Sequence, residues 1–180
     1  PVTKFKWVER AFNGNKLILS LGCYANNEYR HPRPAANCCT IQIKDGGASF
    51  GSQSQVTFSG QAKHFPHPKR FHQVWSSNRK GKPVYAWEGV PPSKDFVAIG
   101  MVVTSTDTPP PLDSLCCAPR RALKESSFKP KLVWTDKGST GRPGSCWIVN
   151  ELKLVHIVQG HDQPKGPFYD FKVDTFTLKE

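Results

Sequence analysis

Val133-Trp134-Thr135-Asp136-Lys137-Gly138-Ser139, followed by Trp147, has an earlier counterpart in Val74-Trp75, followed by Trp87. The first tryptophans, at 75 and 134, stand 59 residues apart, and the second, at 87 and 147, stand 60 apart. Glycine and basic residues fill both intervals: Asn78-Arg79-Lys80-Gly81-Lys82-Pro83 in one, Asp136-Lys137-Gly138-Ser139-Thr140-Gly141-Arg142-Pro143 in the other. A second self-match sets Leu19-Ser20-Leu21-Gly22 against Val97-Ala98-Ile99-Gly100, and Cys38-Cys39 against Cys116-Cys117. The glycines and the cysteine pairs are both 78 residues apart. Since the middle stretch joins both comparisons, the chain reads as one motif in three copies, with Trp7 opening the first. The units run from about 1 to 68, 69 to 128 and 129 to 180 of a single domain. In this alignment Phe96-Val97-Ala98-Ile99 corresponds to Val155-His156-Ile157-Val158.

Each copy is made of strands and turns. Segments 16–24, 40–44, 55–59, 84–87, 96–104, 131–134, 146–149, 153–158 and 169–177 are short, β-branched or aromatic, and bounded by Gly, Pro, Asn or Asp. Leu115–Ser126 is the one helix candidate, and Pro119 within it limits it to a turn. The pattern predicts an all-β domain of three small sheets closed on each other, each burying one face and leaving few free edges. Trp75, Trp87, Trp134 and Trp147 are then structural, pinning their sheets to a shared core.

With 180 residues, 37% of them hydrophobic, the chain can bury a real core without covalent staples. Apolar runs such as Phe96–Ile99 are far too short to span a bilayer. The opening Pro1-Val2-Thr3 carries no initiator Met and no targeting segment, so the chain reads as a fragment or processed form. Six cysteines, two pairs of them adjacent in sequence, show no Cys-x-x-Cys spacing, and no glycosylation acceptor occurs. They are expected to be reduced, with one member of each adjacent pair facing the core.

The net charge of +11 favours polyanionic partners. Basic residues bunch at Lys63, Lys69, Arg70, Arg79, Lys80 and Lys82, and again at Arg120, Arg121, Lys124, Lys129 and Lys131. Their Pro- and Ser-rich surroundings predict loops, and these two bunches are the candidate lipid- or partner-binding residues.

The segment Val133-Trp134-Thr135-Asp136-Lys137-Gly138-Ser139 with Trp147 resembles the tryptophan–aspartate–glycine–serine signature of the vacuolar protein sorting sixty-two family. Trp87-Glu88-Gly89-Val90-Pro91-Pro92, running on to Phe96 and Gly100, is similar to the same family, as is the run from Trp147 through Asn150 to Val158. Similar repeats occur inside large vacuolar protein sorting thirteen lipid-transfer proteins. The resemblance covers about residues 71–173 and implies a β-prism-like, pseudo-threefold module, non-enzymatic, that binds adaptors or membranes. It marks Asp136, Gly138, Ser139 and Asn150 as the motif turn. The second unit departs from it, with Ser76-Ser77-Asn78 in place of the acidic turn.

No nucleophile motif, paired carboxylates or phosphate-cradling glycine loop is present, so no enzyme and no cofactor is expected. His64, His67 and His72 lie between prolines and basic residues that disfavour a metal, and His31 and His161 read as solvated turn residues. Gly46-Gly47 marks a hairpin turn, and Gly138-Ser139-Thr140-Gly141 is a plain turn in preference to an anion nest. The expected function is an interaction module of a trafficking or lipid-transfer protein, peripheral at organelle membranes in the cytoplasm. Its partner is an anionic phospholipid or phosphoinositide surface, or a trafficking adaptor. The alternatives are a secreted β-prism lectin or toxin-targeting domain, and nucleic-acid binding.

Overall fold

The computed structural model of the protein describes residues 4–6, 12–13, 16–18, 20–26, 40–42, 65–79 and 81–172. Trp7, His31, Cys38-Cys39, Gly46-Gly47, the 55–59 strand, Lys63, His64 and Lys80 lie outside the described residues.

The architecture is all-β, with strands, two 3-10 turns and no α-helix among the described residues. Five short strands come first: β1 (Lys4–Lys6), β2 (Phe12–Asn13), β3 (Lys16–Ile18), β4 (Tyr24–Asn26) and β5 (Thr40–Gln42). They form a β1-β4 pair and a β2-β3-β5 sheet. The middle of the chain supplies β6 (Arg70–Arg79), β7 (Lys82–Val90), β8 (Phe96–Val97), β9 (Met101–Thr104), β10 (Ala118–Pro119) and β11 (Leu123–Glu125). The last part adds β12 (Lys131–Thr135), β13 (Gly144–Ile148), β14 (Val155–Gln159) and β15 (Tyr169–Phe171).

Two sheets, β6-β7-β9 and β12-β13-β14, have the same order and direction, a hairpin followed by an antiparallel third strand. Their registers agree in detail. Trp75 faces Ala86 and Trp134 faces Cys146, each just after a β-bulge, at Gln73/Trp75 and at Leu132/Trp134. Trp87 faces Val102 and Trp147 faces His156. This corrects the alignment drawn from sequence. The counterpart of β14 is β9, so Val155 corresponds to Met101 and not to Phe96. The middle part of the chain inserts β8, which leaves to pair with β10, whereas the chain turns directly from β13 into β14 through residues 150–153.

Several local expectations change for identifiable reasons. Arg70–Arg79 is a ten-residue strand where Ser76-Ser77-Asn78 suggested a loop. The ladder with β7 overrides weak strand propensity. The expected 96–104 strand breaks before Gly100, which packs backbone to backbone on the 21–22 segment. That segment likewise divides the expected 16–24 strand, and β15 ends at Phe171, with Lys172 outside it. Leu115–Ser126 is helical only in the 3-10 turn Arg120–Ala122, which lies between β10 and β11. Cys116 and Cys117 are both fully buried, although one was expected to face outward. The Cys116 N–H bonds to Ser20 O and the Cys117 N–H to Pro66 O, so other segments cover both faces of this stretch.

The core brings the three parts of the chain together. Cys23, Trp75, Met101, Cys146, Val155 and Ile157 share one buried cluster, against which Trp134 packs. A second cluster holds Leu21, Phe65, Cys116, Leu123 and Leu154, and a third holds Trp87, Val102 and Leu115. Cys23, Cys116, Cys117 and Cys146 are not joined in disulfides. Burial pushes the Cys23 thiol up to about 11, and burial, reinforced by the neighbouring Cys23, pushes Cys146 up to about 12.

Candidate interaction site

The first basic bunch is divided by the strand it occupies. Lys69 and Arg70 stand at one end of β6 and Arg79 at the other, about 30 Å away at the usual rise per residue. Arg79 and Lys82 face each other at the closing end of the β6–β7 hairpin, where Gly81 takes φ +70°. The third strand, β9, pairs with β7 only over Tyr85–Glu88. The rungs Ser77–Val84, Asn78–Pro83 and Arg79–Lys82 therefore extend beyond it. Arg79 and Lys82 are exposed, so the hairpin presents two cations at its tip.

The second bunch is spread over several elements. Arg120 is held by its surroundings: Nε donates to Lys94 O (3.1 Å), Nη1 donates to the Tyr169 hydroxyl (3.1 Å), and the guanidinium lies over the Tyr169 ring. Arg121 is exposed in the same 3-10 turn; Lys124 is exposed in β11; Lys129 precedes β12, and Lys131 begins it. The expectation of loops thus fails for Arg70, Arg79, Lys82 and Lys131, because the β6–β7 and β12–β13 ladders run to the hairpin ends, and for Lys124, which pairs with Asp170 across β11 and β15.

The motif turn is a closed structural device. Where the earlier hairpin continues as a ladder, residues 136–143 form a loop locked by a buried carboxylate. Asp136 Oδ1 accepts the Gly144 N–H at 2.9 Å and lies 2.7 Å from His161 Nε2. Asp136 O accepts both the N–H and the hydroxyl of Ser139. Burial opposes ionisation of Asp136, but the Gly144 N–H and His161 outweigh it and hold the carboxyl below the usual range. His161 lies exposed in a bend, as expected, and is in addition the partner of this carboxylate. Gly138 is exposed at φ +84°, and Arg142 Nη2 donates to Gln159 Oε1 at 2.8 Å.

Asn150 is fully buried and equally structural. Its amide donates to Tyr169 O (3.1 Å) and its Oδ1 accepts the Leu154 N–H (3.0 Å), fastening the β13–β14 turn to β15.

The tryptophans lie within the packing. Trp75 and Trp134 meet edge to face, with centroids 5.7 Å apart at 63°. The Trp75 N–H reaches Arg142 O and Pro143 O, which ties β6 to the β12–β13 loop. Trp87 donates to the Thr104 hydroxyl and Trp147 to the Ser145 hydroxyl, each within its own sheet. Gly144, which sequence reasoning passed over, supports this arrangement: a Cβ there would lie 2.3 Å from the Trp75 ring. Among the described residues no cluster of three or more His, Cys, Asp or Glu could hold a metal, and no helix is long and apolar enough to cross a membrane.

The fold and its repeated hairpins define an all-β domain with a tryptophan–aspartate–glycine–serine loop that is structural and a separate basic hairpin tip. Residues 43–161, about two thirds of the chain, match the model of the vacuolar protein sorting-associated protein 62 family, and the chain belongs to that family. No curated protein sequence matches it. Among solved structures it is similar in fold to the crystal structure of GNIP1Aa from Chromobacterium piscinae, with a TM-score of 0.63 and 15% identity. The match covers 91% of this chain and 32% of that one, so the chain spans about a third of that protein's length.

Proposed function

We propose that this domain is a non-enzymatic docking module of a membrane-trafficking or lipid-transfer protein, acting at the cytoplasmic face of an organelle membrane. It is built as a β-prism-like, pseudo-threefold assembly that presents basic hairpin ends to an anionic surface. Membership of the vacuolar sorting family supports the setting. Contacts between equivalent residues support the symmetry, because residues related by a rotation touch only close to its axis. Gly22 touches Gly100 in this way, and Trp75 touches Trp134. Cys23, Met101 and Val155, at or next to the starts of β4, β9 and β14, are also linked: Cys23 N–H bonds to Met101 O at 2.7 Å, and Val155 N–H to Cys23 O at 3.3 Å.

The observation that carries the docking reading is the β6–β7 tip, where Arg79 and Lys82 project past the third strand of their sheet. Each cation near an anionic leaflet contributes about 1 kcal/mol, and the overall +11 charge adds long-range attraction. An acidic adaptor segment would use the same cations. The secreted reading gains nothing from the four described cysteines, which are buried and not joined in disulfides.

Co-sedimentation tests the proposal, using neutral vesicles and vesicles carrying phosphatidylserine or a phosphoinositide. Binding should follow anionic content and weaken as salt is raised. Equal, negligible sedimentation with all three at low salt would refute membrane docking.

A further inference from the structure

The second basic bunch, which the docking reading leaves unused, surrounds one serine. Between the end of β11 and the start of β12, residues 126–130 belong to no strand, turn or bend. Ser127 is exposed there, with Lys124 three residues before it, Lys129 two after and Lys131 four after, and all three lysines are exposed. Glu125 is the one acidic residue between Arg120 and Thr135. The neighbours fix the segment but leave this hydroxyl out. The Ser126 N–H bonds to Phe168 O at 2.8 Å, and Ser126 Oγ accepts the Phe128 N–H at 3.2 Å. Ser127 Oγ makes no hydrogen bond among the described residues. Other hydroxyls are worse placed. Those of Ser93, Ser126 and Ser139 are hydrogen-bonded. Ser105, Thr106 and Thr108 are exposed, but residues 95–119 contain no Lys or Arg. Thr140 is exposed between Lys137 and Arg142, yet its loop is bent. The Ser139 N–H closes a turn on Asp136 O, and Gly138 and Gly141 take φ +84° and +131°.

We propose that Ser127 is a phosphorylation site for a serine/threonine kinase that selects basic substrates. Such a kinase draws an open stretch of chain into an acidic cleft and recognises cations on either side of the acceptor by their charge. Lys124, Lys129 and Lys131 supply those cations, and presenting Ser127 gives up no strand pairing. The γ-phosphoryl group of ATP passes to Ser127 Oγ. The new P–O bond replaces the bond from the γ-phosphorus to the bridging oxygen, ADP leaves, and the hydroxyl proton goes to the kinase's catalytic aspartate. The product phosphate carries a charge of about −1.5 to −2 and three acceptor oxygens. Among the three lysines it gains charge-assisted hydrogen bonds and brings this patch close to neutral. The net charge of the chain falls from +11 to about +9. The site itself is independent of the docking reading. Its consequence rests on that reading: long-range attraction to an anionic membrane weakens while Arg79 and Lys82 stay untouched.

The test incubates the folded 180-residue chain with MgATP and a basophilic kinase of the protein kinase C type, and maps the phosphate by tandem mass spectrometry. Ser127 should be the principal site. Because the fold leaves the segment open, kcat/KM should lie within about tenfold of that for a synthetic peptide of residues 120–134. Ser127→Ala should remove the phosphate and Thr140→Ala should leave it in place. Lys124→Glu/Lys129→Glu should slow the transfer at least about tenfold by repulsion from the kinase's acidic cleft. Phosphate mainly on another residue, indifference to the lysine substitutions, or a folded chain about a hundredfold or more slower than the peptide would each overturn the site. The fully phosphorylated chain should bind anionic vesicles several-fold more weakly than Ser127→Ala treated in the same way. Equal binding would overturn the consequence for docking. If Ser127 is modified as expected and neither form binds vesicles, the docking reading fails and the phosphorylation site stands.

Discussion

Gly100→Ala is the sharpest test of how the three parts of the chain meet. A methyl at residue 100 would lie 2.3 Å from Leu21 O, 3.1 Å from Gly22 Cα and 3.3 Å from Leu21 C. All three are backbone atoms, so no flexible side chain can swing aside. Overpacking of this kind costs about 1–3 kcal/mol. Separating the strands also strains Cys23 N–H to Met101 O and Cys116 N–H to Ser20 O, both 2.7 Å, at about 0.5–1.5 kcal/mol each. The expected loss is about 2–6 kcal/mol, a large part of a typical domain's stability of about 5–15 kcal/mol. Urea unfolding followed by tryptophan fluorescence measures it, with Gly81→Ala as control. Gly81 has open space around it, so that change should cost only the left-handed strain of about 1–2 kcal/mol. A Gly100→Ala midpoint equal to wild type would refute the close approach.

Three further outcomes follow from the same contacts. Gly144→Ala should displace the Trp75 ring, shifting the fluorescence maximum and lowering stability by about 1–3 kcal/mol; an unchanged spectrum would count against the Gly144–Trp75 contact. Asp136→Asn removes a carboxylate whose folded value lies below its unfolded value of about 3.9. Its stabilisation is complete above that unfolded value and lost as pH falls through the folded one. The variant should therefore be about 1–3 kcal/mol less stable at pH 7 and converge on wild type in acid, where parallel stability curves would contradict the role. Cys23, Cys117 and Cys146, held largely as thiols by burial, should react with a disulfide reagent only as fast as the domain opens, and labelling at peptide-like rates would contradict their placement.

Much of the architecture could be read from spacing. Trp75 with Trp87 and Trp134 with Trp147 occupy the same rungs of two like sheets, which is why their separations agree. Gly22 and Gly100 matched in sequence and meet in space, because both must let backbone approach backbone. What stayed hidden depended on distant partners. Ser76-Ser77-Asn78 looks like a turn until β7 pairs with it. His161 gains its role only when the fold sets it 2.7 Å from Asp136, 25 residues earlier. The basic bunches are close in sequence, but an extended strand places the ends of one about 30 Å apart, so local charge counting could not locate the tip.

Vesicle binding by Arg79→Glu/Lys82→Glu, beside Lys69→Glu/Arg70→Glu at the other end of the same strand, tests hairpin docking most directly. Both variants change the net charge equally, so general attraction falls alike in each. The tip variant should lose at least about 25-fold in affinity for anionic vesicles, from about 1 kcal/mol for each of two cations plus the added repulsion, and the other variant should lose much less. Equal losses would mean that overall charge drives binding, contradicting a docking hairpin.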